Sequence, residues 1–243
     1  MPSIVKRALR KVLTPLMWDY TSAEYQCGRV SFSQFGEDVL CGFFFSRGYR
    51  GVHVDVGAFH PMLLSNTYDF YRKGWRGICI DANPDVAGLF ARFRPEDTFI
   101  HSAVGNNAGS IEMALFKDGA FNCLSEHLSD VPEDVRRTAR LVTVPINPLS
   151  AILEENKVEQ IDLLNVDCEG NDLKVLQSND WNRWRPKVVC VEDHAENWQQ
   201  SEIVQYLASV GYTLKYRAVF TSIFIPDDIA RAHAASRGLE PLV

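Results

Sequence analysis

GVHVDVGAFHPMLLSNTYDFYRKGWRGICIDA, residues 51–82, decides the fold. It opens with GVHVDV (51–56), a run rich in β-branched residues that reads as a strand. It closes with GICIDA (77–82), an apolar run that reads as a second strand. Between them, residues 65–73 carry a helical pattern. Strand, helix and strand in this order make a βαβ unit with parallel strands. Both strands end in an acid, Asp55 and Asp81, and the first runs straight into Gly57.

The alternation continues on either side. Upstream, EDVLCGFFFSR (37–47) predicts a helix. Downstream, residues 84–92 predict a helix with a proline in its first turn. TFIHSAV (98–104) predicts a third strand and SIEMALF (110–116) an extra one. LVTVPI (141–146) is strand-like, and Pro145 points to an edge position. A helix follows at 147–157, a strand at IDLLNVD (161–167), a helix at 171–178 and a strand at PKVVCVED (186–193). The amphipathic helix at 200–210 ends at Gly211. YTLKYRA (212–218) and VFTSIFI (219–225) lie too close for a crossover helix, so they pair antiparallel. The expected architecture is α/β: a mostly parallel sheet with helices on both faces, closed by one antiparallel hairpin. Residues 117–139 are the least regular stretch and form a candidate lid or acceptor-binding loop.

Composition narrows the function. The 243 residues carry 25 Lys+Arg against 31 Asp+Glu, a net charge of −6. A nucleic-acid partner needs a basic field, so none is expected. None of the six cysteines forms a Cys-x-x-Cys pair, so no zinc or thioredoxin-like site is expected. Cys79 and Cys190 sit inside apolar runs as small hydrophobes, and reduced thiols fit a cytoplasmic protein. No run reaches the ~18–20 apolar residues of a membrane span.

Residues 1–30 are expected to hold an amphipathic helix and a lead-in segment, and 31–243 a single domain. In residues 3–18, Ile4, Val5, Ala8, Leu9, Val12, Leu13 and Leu16 recur at helical spacing among Lys6, Arg7, Arg10 and Lys11. The favoured reading packs this helix on the domain or on a second copy of the chain, which would make a homo-oligomer. The other lays it on an anionic membrane surface.

In an open α/β sheet, ligands bind outside the carboxyl ends of the strands. Those ends read Asp55-Val56-Gly57-Ala58-Phe59-His60, Asp81-Ala82-Asn83, Ser102-Ala103-Val104-Gly105, Asp167-Cys168-Glu169-Gly170 and Glu192-Asp193-His194. Every proposed core strand ends in polar or acidic side chains or glycine. Gly57 permits a tight turn and a close backbone approach. Asp81 can accept hydrogen bonds from both hydroxyls of a ribose. The Gly-x-Gly-x-x-Gly fingerprint and the phosphate-binding Gly-x-x-x-x-Gly-Lys loop are both missing. An acidic turn at Asp55 would repel a pyrophosphate and stabilise a sulfonium or an ammonium.

VDVGAFHP, SNTYDFYRKGWRGICIDANP, HSAVGN and IDLLNVDCEGND together resemble the FkbM-type S-adenosylmethionine-dependent methyltransferases. SQFGEDVL resembles the segment that precedes the domain in one branch of that family, and the likeness spans roughly residues 31–195. It implies a class I methyltransferase fold: a seven-stranded, mostly parallel sheet whose last strand is antiparallel. Carried over by position, it places Asp55, Gly57 and Ala58 in the first cofactor loop, with Asp81 and Ala82 at the ribose. Ser102 and Ala103 would flank the adenine, Asp167 would lie near the methionine end, and Glu169 and Gly170 would complete the Asp-x-Glu-Gly turn. Gln34 would cover the cofactor. Phe59-His60-Pro61 departs from the family pattern, where further glycines are common.

The resemblance implies O-methylation of a carbohydrate, glycan or natural-product hydroxyl. Candidate bases are Asp167, Glu169, Asp193 and His194. Asp167 with Glu192 or Asp193 is a candidate Mg²⁺ site, which would acidify the acceptor. Trp75, Trp181, Trp184 and Trp198 are candidate stacking faces for a sugar. Two other readings stand: a non-catalytic member that binds the cofactor or a partner, and, less favoured, a nicotinamide-dependent oxidoreductase.

Overall fold

The computed structural model describes residues 30–117 and 122–236. The expected helix at 3–18 lies outside the described residues. From Ser31 onward the described chain forms one compact unit around two sheets. The large sheet contains β1 (Val52–Val56), β2 (Arg76–Asp81), β3 (Thr98–His101), β8 (Leu163–Val166), β9 (Val188–Glu192), β10 (Tyr212–Ala218) and β11 (Thr221–Pro226). Their order is β10-β11-β9-β8-β1-β2-β3. All neighbours are parallel except those of β11, which runs antiparallel to both β9 and β10. This is the seven-stranded sheet with an antiparallel last strand that the resemblance implies.

The helices are α1 (Glu37–Gly42), α2 (Tyr68–Arg72), α3 (Ala87–Phe93), α4 (Glu133–Arg136), α5 (Leu149–Glu155), α6 (Asp172–Gln177), α7 (Glu202–Ser209) and α8 (Asp227–Ser236). The two-residue period of the strands sends alternate side chains to opposite faces. Val54, Val56, Leu164, Val166, Val189 and Val191 join Leu149, Leu153, Leu176 and Leu207 from α5, α6 and α7. Leu163, Val188, Cys190, Ile223 and Ile225 instead join Cys41, Phe70 and Ala230 from α1, α2 and α8. The apolar runs read from the sequence are therefore covered on both sides. Trp75, Trp181 and Trp184 are buried in these cores. None of the three offers a face to a sugar. Trp198 lies beneath the Arg217 guanidinium, 5.2 Å from ring centre to Cζ.

The expected third strand breaks at Ser102. Its continuation, β4 (Ala103–Val104), joins β5 (Gly109–Leu115), β6 (Cys123–Leu124) and β7 (Arg140–Asn147) in a second sheet ordered β4-β7-β5-β6. The Ser102 hydroxyl donates to the Ala103 carbonyl at 2.7 Å, which helps turn the chain out of the large sheet. Pro145 pairs with Ser110 of β5, one residue before β4 begins to pair at Ile146. The flank is open there, as an edge proline requires.

A buried cation ties the first strands together. Arg94 follows α3 and is 1% exposed. Its Nε donates to Asp97 Oδ2 at 2.8 Å, one Nη donates to Thr67 Oγ1 at 2.9 Å, and the other lies 2.7 Å from His53 Nε2. Asp55 Oδ2 stands 3.9 Å away. Asp97 also accepts the Gly77 amide at 2.9 Å, so the cluster spans β1, β2, α2 and the end of α3. Removing one partner of a buried ion pair leaves an uncompensated charge. Arg94→Met should cost ~3–5 kcal/mol of unfolding free energy. Chemical denaturation measures this, and a loss below ~1 kcal/mol would show that the cluster does not hold the strands.

Candidate functional site

The carboxyl ends of the large sheet open into one cavity of about 350 Å³. Ligand pockets start near ~300 Å³. Gln34, Asp55, Gly57, Ala58, Asp81, Ala82, Ser102, Ala103, Asp167, Glu169 and His194 all line it. These eleven candidates picked from the sequence therefore reach one space. The cavity has two chemically different ends.

The first end lies over β1, β2 and β3. Gly57 has φ +77°, and a Cβ built there would stand 1.7 Å from the Asp167 carbonyl oxygen. Only glycine fits, because the turn after β1 rides directly on the backbone leaving β8. The Gly57 and Ala58 amides both donate to the Ile80 carbonyl, at 2.9 and 3.1 Å. Phe59 takes the next left-handed position, φ +49°, and its amide donates to Asp81 Oδ2 at 2.7 Å. That bond anchors the turn at a residue where the resemblance led one to expect glycine. His60 Nδ1 accepts the Met62 and Leu63 amides at 3.1 and 2.9 Å and folds the loop back.

Asp81 Oδ1 accepts the Asn83 amide at 2.7 Å. Burial pushes its carboxyl upward, against the pull of these two amides. Each oxygen keeps a free lone pair for a ribose hydroxyl. A glycine turn that admits close approach and an acid at the end of β2 fit an adenosine.

Asp55 departs from expectation. Its Oδ1 accepts from Asn165 Nδ2 at 2.8 Å, its Oδ2 accepts from the Thr67 hydroxyl, and Arg94 balances its charge. Its carboxylate is committed inside the protein and does not supply a free negative charge to a sulfonium. The sequence could not reveal this, because Arg94 is 39 residues further along the chain.

The second end lies over β8 and β9. The Cys168 and Gly170 amides donate to Asp172 Oδ1 and Oδ2, at 2.8 and 3.1 Å. This clasp shapes the Asp167-Cys168-Glu169-Gly170 turn and holds Glu169 at φ +50°. Asp172 was missed in the sequence, although it stands in the quoted IDLLNVDCEGND. Glu192 also lines the cavity, with its Oε1 3.0 Å from His194 Nε2. Its buried Oε2 has no hydrogen-bond partner.

Asp167 and Glu192 stand at the ends of neighbouring strands, close enough for each to act on the other's proton affinity. Burial first, then Glu192, Asp172 and Glu169, push Asp167 well above the usual carboxylate range. Burial, with Glu169 and Asp172 nearby, pushes Glu192 up to about 7.

Asp193 points away from the cavity. It accepts the Ala195 amide at 3.0 Å and the Ser201 hydroxyl at 2.5 Å. It is therefore neither base nor metal ligand, which corrects both expectations.

Glu169, Glu192 and His194 bring one ligand atom each within 4.8 Å of one another. The imidazole makes this a mixed nitrogen–oxygen set, whereas Mg²⁺ takes carboxylate oxygens and waters. The donor set does not favour Mg²⁺.

The profile of the methyltransferase FkbM domain matches residues 55–214. No curated protein matches the chain. Among solved structures, the chain is similar to the methyltransferase FkbM from Methylobacillus flagellatus KT, at 14% identity and TM-score 0.48. That match covers 85% of this chain and 47% of the other, so the chain spans about half its length. A TehB-like SAM-dependent methyltransferase from Corynebacterium glutamicum matches at 11% identity and TM-score 0.41, over 93% of this chain and 100% of that one. The Burkholderia thailandensis 1,6-didemethyltoxoflavin-N1-methyltransferase, solved with S-adenosylhomocysteine, matches at 12% identity and TM-score 0.39, over 93% and 88%.

Two outcomes test this geometry. Asp81→Ala should weaken binding of S-adenosylhomocysteine at least ~10-fold, since hydrogen bonds to a charged group are worth ~1.5–3 kcal/mol. Calorimetry reads the affinity, and an unchanged value would remove the ribose assignment.

The second outcome concerns pH. Glu192 rises from 4.5 to about 7 in the folded protein, so the native state binds its proton more tightly than the unfolded chain. The resulting stability is complete below about pH 4.5 and is lost as pH rises through about 7. Glu192→Gln should therefore melt above the wild type at pH 8 and close to it at pH 5. Equal gains at both pH values would contradict the electrostatic account.

Proposed function

We propose that this chain, which belongs to the FkbM family of methyltransferases, transfers the methyl group of S-adenosylmethionine to an uncharged hydroxyl of a carbohydrate, glycan or related natural product. The observation that carries this reading is the single cavity. It joins the Gly57–Asp81 end, which fits an adenosine, to the carboxyl–imidazole end at Asp167, Glu169, Glu192 and His194.

The bound sulfonium supplies an activated methyl group. The chain's residues align the partners and remove a proton. Ala58 and the Gly57 turn would seat the nucleoside, with Ser102 and Ala103 beside the adenine and Gln34 at the opening. Holding the acceptor in line is worth ~7–11 kcal/mol of barrier. A hydroxyl must also lose its proton, and the acids and imidazole at the ends of β8 and β9 lie where that proton leaves.

The lining also supports the acceptor class. Glu37, Asp55, Asp81, Asp167, Glu169 and Glu192 line the cavity, and among the described residues no Lys or Arg does. A phosphorylated or carboxylated acceptor would find no counter-charge there. Leu64, Phe220 and Phe59 give the cavity apolar contact surface, suited to sugar faces or a natural-product ring. The irregular segment contributes Asn122, Cys123 and Leu124 to the wall, consistent with an acceptor-selecting role.

A panel of neutral hydroxylated sugars, glycosides and polyketide-like alcohols, incubated with methyl-labelled S-adenosylmethionine, tests the reading. Label should appear as a base-stable methyl ether. Transfer only to amines or to anionic acceptors would overturn it. Cofactor binding without transfer to any acceptor would favour the non-catalytic reading. Exhaustive dialysis against EDTA should leave the rate unchanged, and a rate restored only by Mg²⁺ would overturn the donor-set argument.

A further inference from the structure

We infer that Glu192 is the catalytic base of this site and that His194 carries the proton from it to solvent. The inference rests on the proposed O-methyl transfer and identifies the group that receives the acceptor's proton. Three observations carry it. Glu192 is the last residue of β9, so its backbone is fixed by the large sheet. Its Oε2 is shut from water with no donor, an acceptor atom that the protein itself leaves unanswered. Buried polar atoms in that state are rare, and a hydroxyl brought by a ligand would satisfy this one. Its Oε1 meets His194 Nε2 at 3.0 Å, and the His194 side chain is 53% exposed, tilted against Phe220 with ring centres 4.9 Å apart. A continuous path thus runs from the cavity through a carboxylate and an imidazole to solvent.

The other candidates fit the role less well. Asp167 is pushed well above the usual carboxylate range by burial and by the acids around it. Glu169 sits on an exposed turn and, unlike Glu192, has no buried oxygen left without a partner. The groups facing Glu192 are Asp167 from the end of β8, Glu169 and Asp172 from the following turn and α6, Glu37 from α1, and His194 beyond its own strand. All but His194 are acids. They keep the affinity of Glu192 for a proton high, as a base working near neutral pH requires. Arg217 is turned to the Asp193 carbonyl at 2.7 Å and Ser222 at 2.8 Å rather than to Glu192.

The step balances. A lone pair of the acceptor oxygen forms the new bond to the methyl carbon. The carbon–sulfur bond breaks, and its electron pair stays on sulfur as a neutral thioether. The hydroxyl proton passes to Glu192, then to His194 and to water.

The test uses the full chain and a neutral alcohol that accepts label in the panel. If the wild type methylates no hydroxyl, the O-methyl reading falls and this inference falls with it. Where it does, Glu192→Gln should lower kcat ~10²–10⁴-fold with S-adenosylhomocysteine affinity unchanged. The rise of rate with pH near neutrality should vanish in that variant and persist in Glu192→Asp. His194→Ala should lose less, and added imidazole should restore part of the rate. Infrared difference spectra give a readout without turnover. A protonated-carboxyl band should disappear as pH rises through about 7, and should be missing from Glu192→Gln. A Glu192→Gln rate within ~10-fold of wild type, or no such band in the wild type, would overturn the inference alone.

Discussion

One buried guanidinium sets the terms for the rest of the molecule. Arg94 stands against Asp55, Asp97, His53 and Thr67 with almost no access to water. A cation in that position is tolerable only because two carboxylates and several acceptors surround it. Its presence neutralises the acid at the end of β1 and anchors the start of α2 through Thr67. The Gly57 turn therefore starts from a fixed, electrically quiet base. That turn can then press against the Asp167 backbone so closely that no side chain fits between them.

The same economy divides the acids of the cavity into two populations. Those near β1 and β2 are satisfied by amides, hydroxyls and Arg94. Those at the ends of β8 and β9 face one another and a half-exposed histidine. Crowding and burial raise the proton affinity of Asp167 and Glu192. Such an arrangement works against stability at neutral pH. Its persistence in a fold that compensates its other buried charges points to a chemical use.

Much of this was legible in the sequence, and the reasons differ from part to part. The strands were readable because burial on both faces demands unbroken apolar runs, and GICIDA and KVVCVE supply them. The antiparallel hairpin was readable because Ala218 and Thr221 leave no room for a crossover. Strand ends marked by acids and glycine led directly to one cavity. The break at Ser102 was not readable, since TFIHSAV is uniformly strand-like and only a hydroxyl–carbonyl contact and a second sheet divert it. Asp55 looked like a free acid because its neutraliser lies far along the chain. Three of the four tryptophans looked available for stacking because sequence does not say which face of an element is covered. Asp172 and the orphaned Glu192 oxygen were invisible for a similar reason. Each acquires its meaning from geometry: two amides folded onto one side chain, and one oxygen left without a donor.

The two sheets also divide the work of the proposed reaction. The large sheet fixes the acids and glycine, and strand ends are rigid enough to hold reacting groups within a fraction of an ångström. The small sheet and its connections supply Met113, Asn122, Cys123 and Leu124 to the opposite wall. Those residues carry no base and no charge, so they can select by shape without disturbing the proton balance below them. A change of acceptor needs new side chains only on that wall and on the rim at Leu64 and Phe220. The cluster at Asp167, Glu192 and His194 cannot vary so freely, because each member sets the proton affinity of the next.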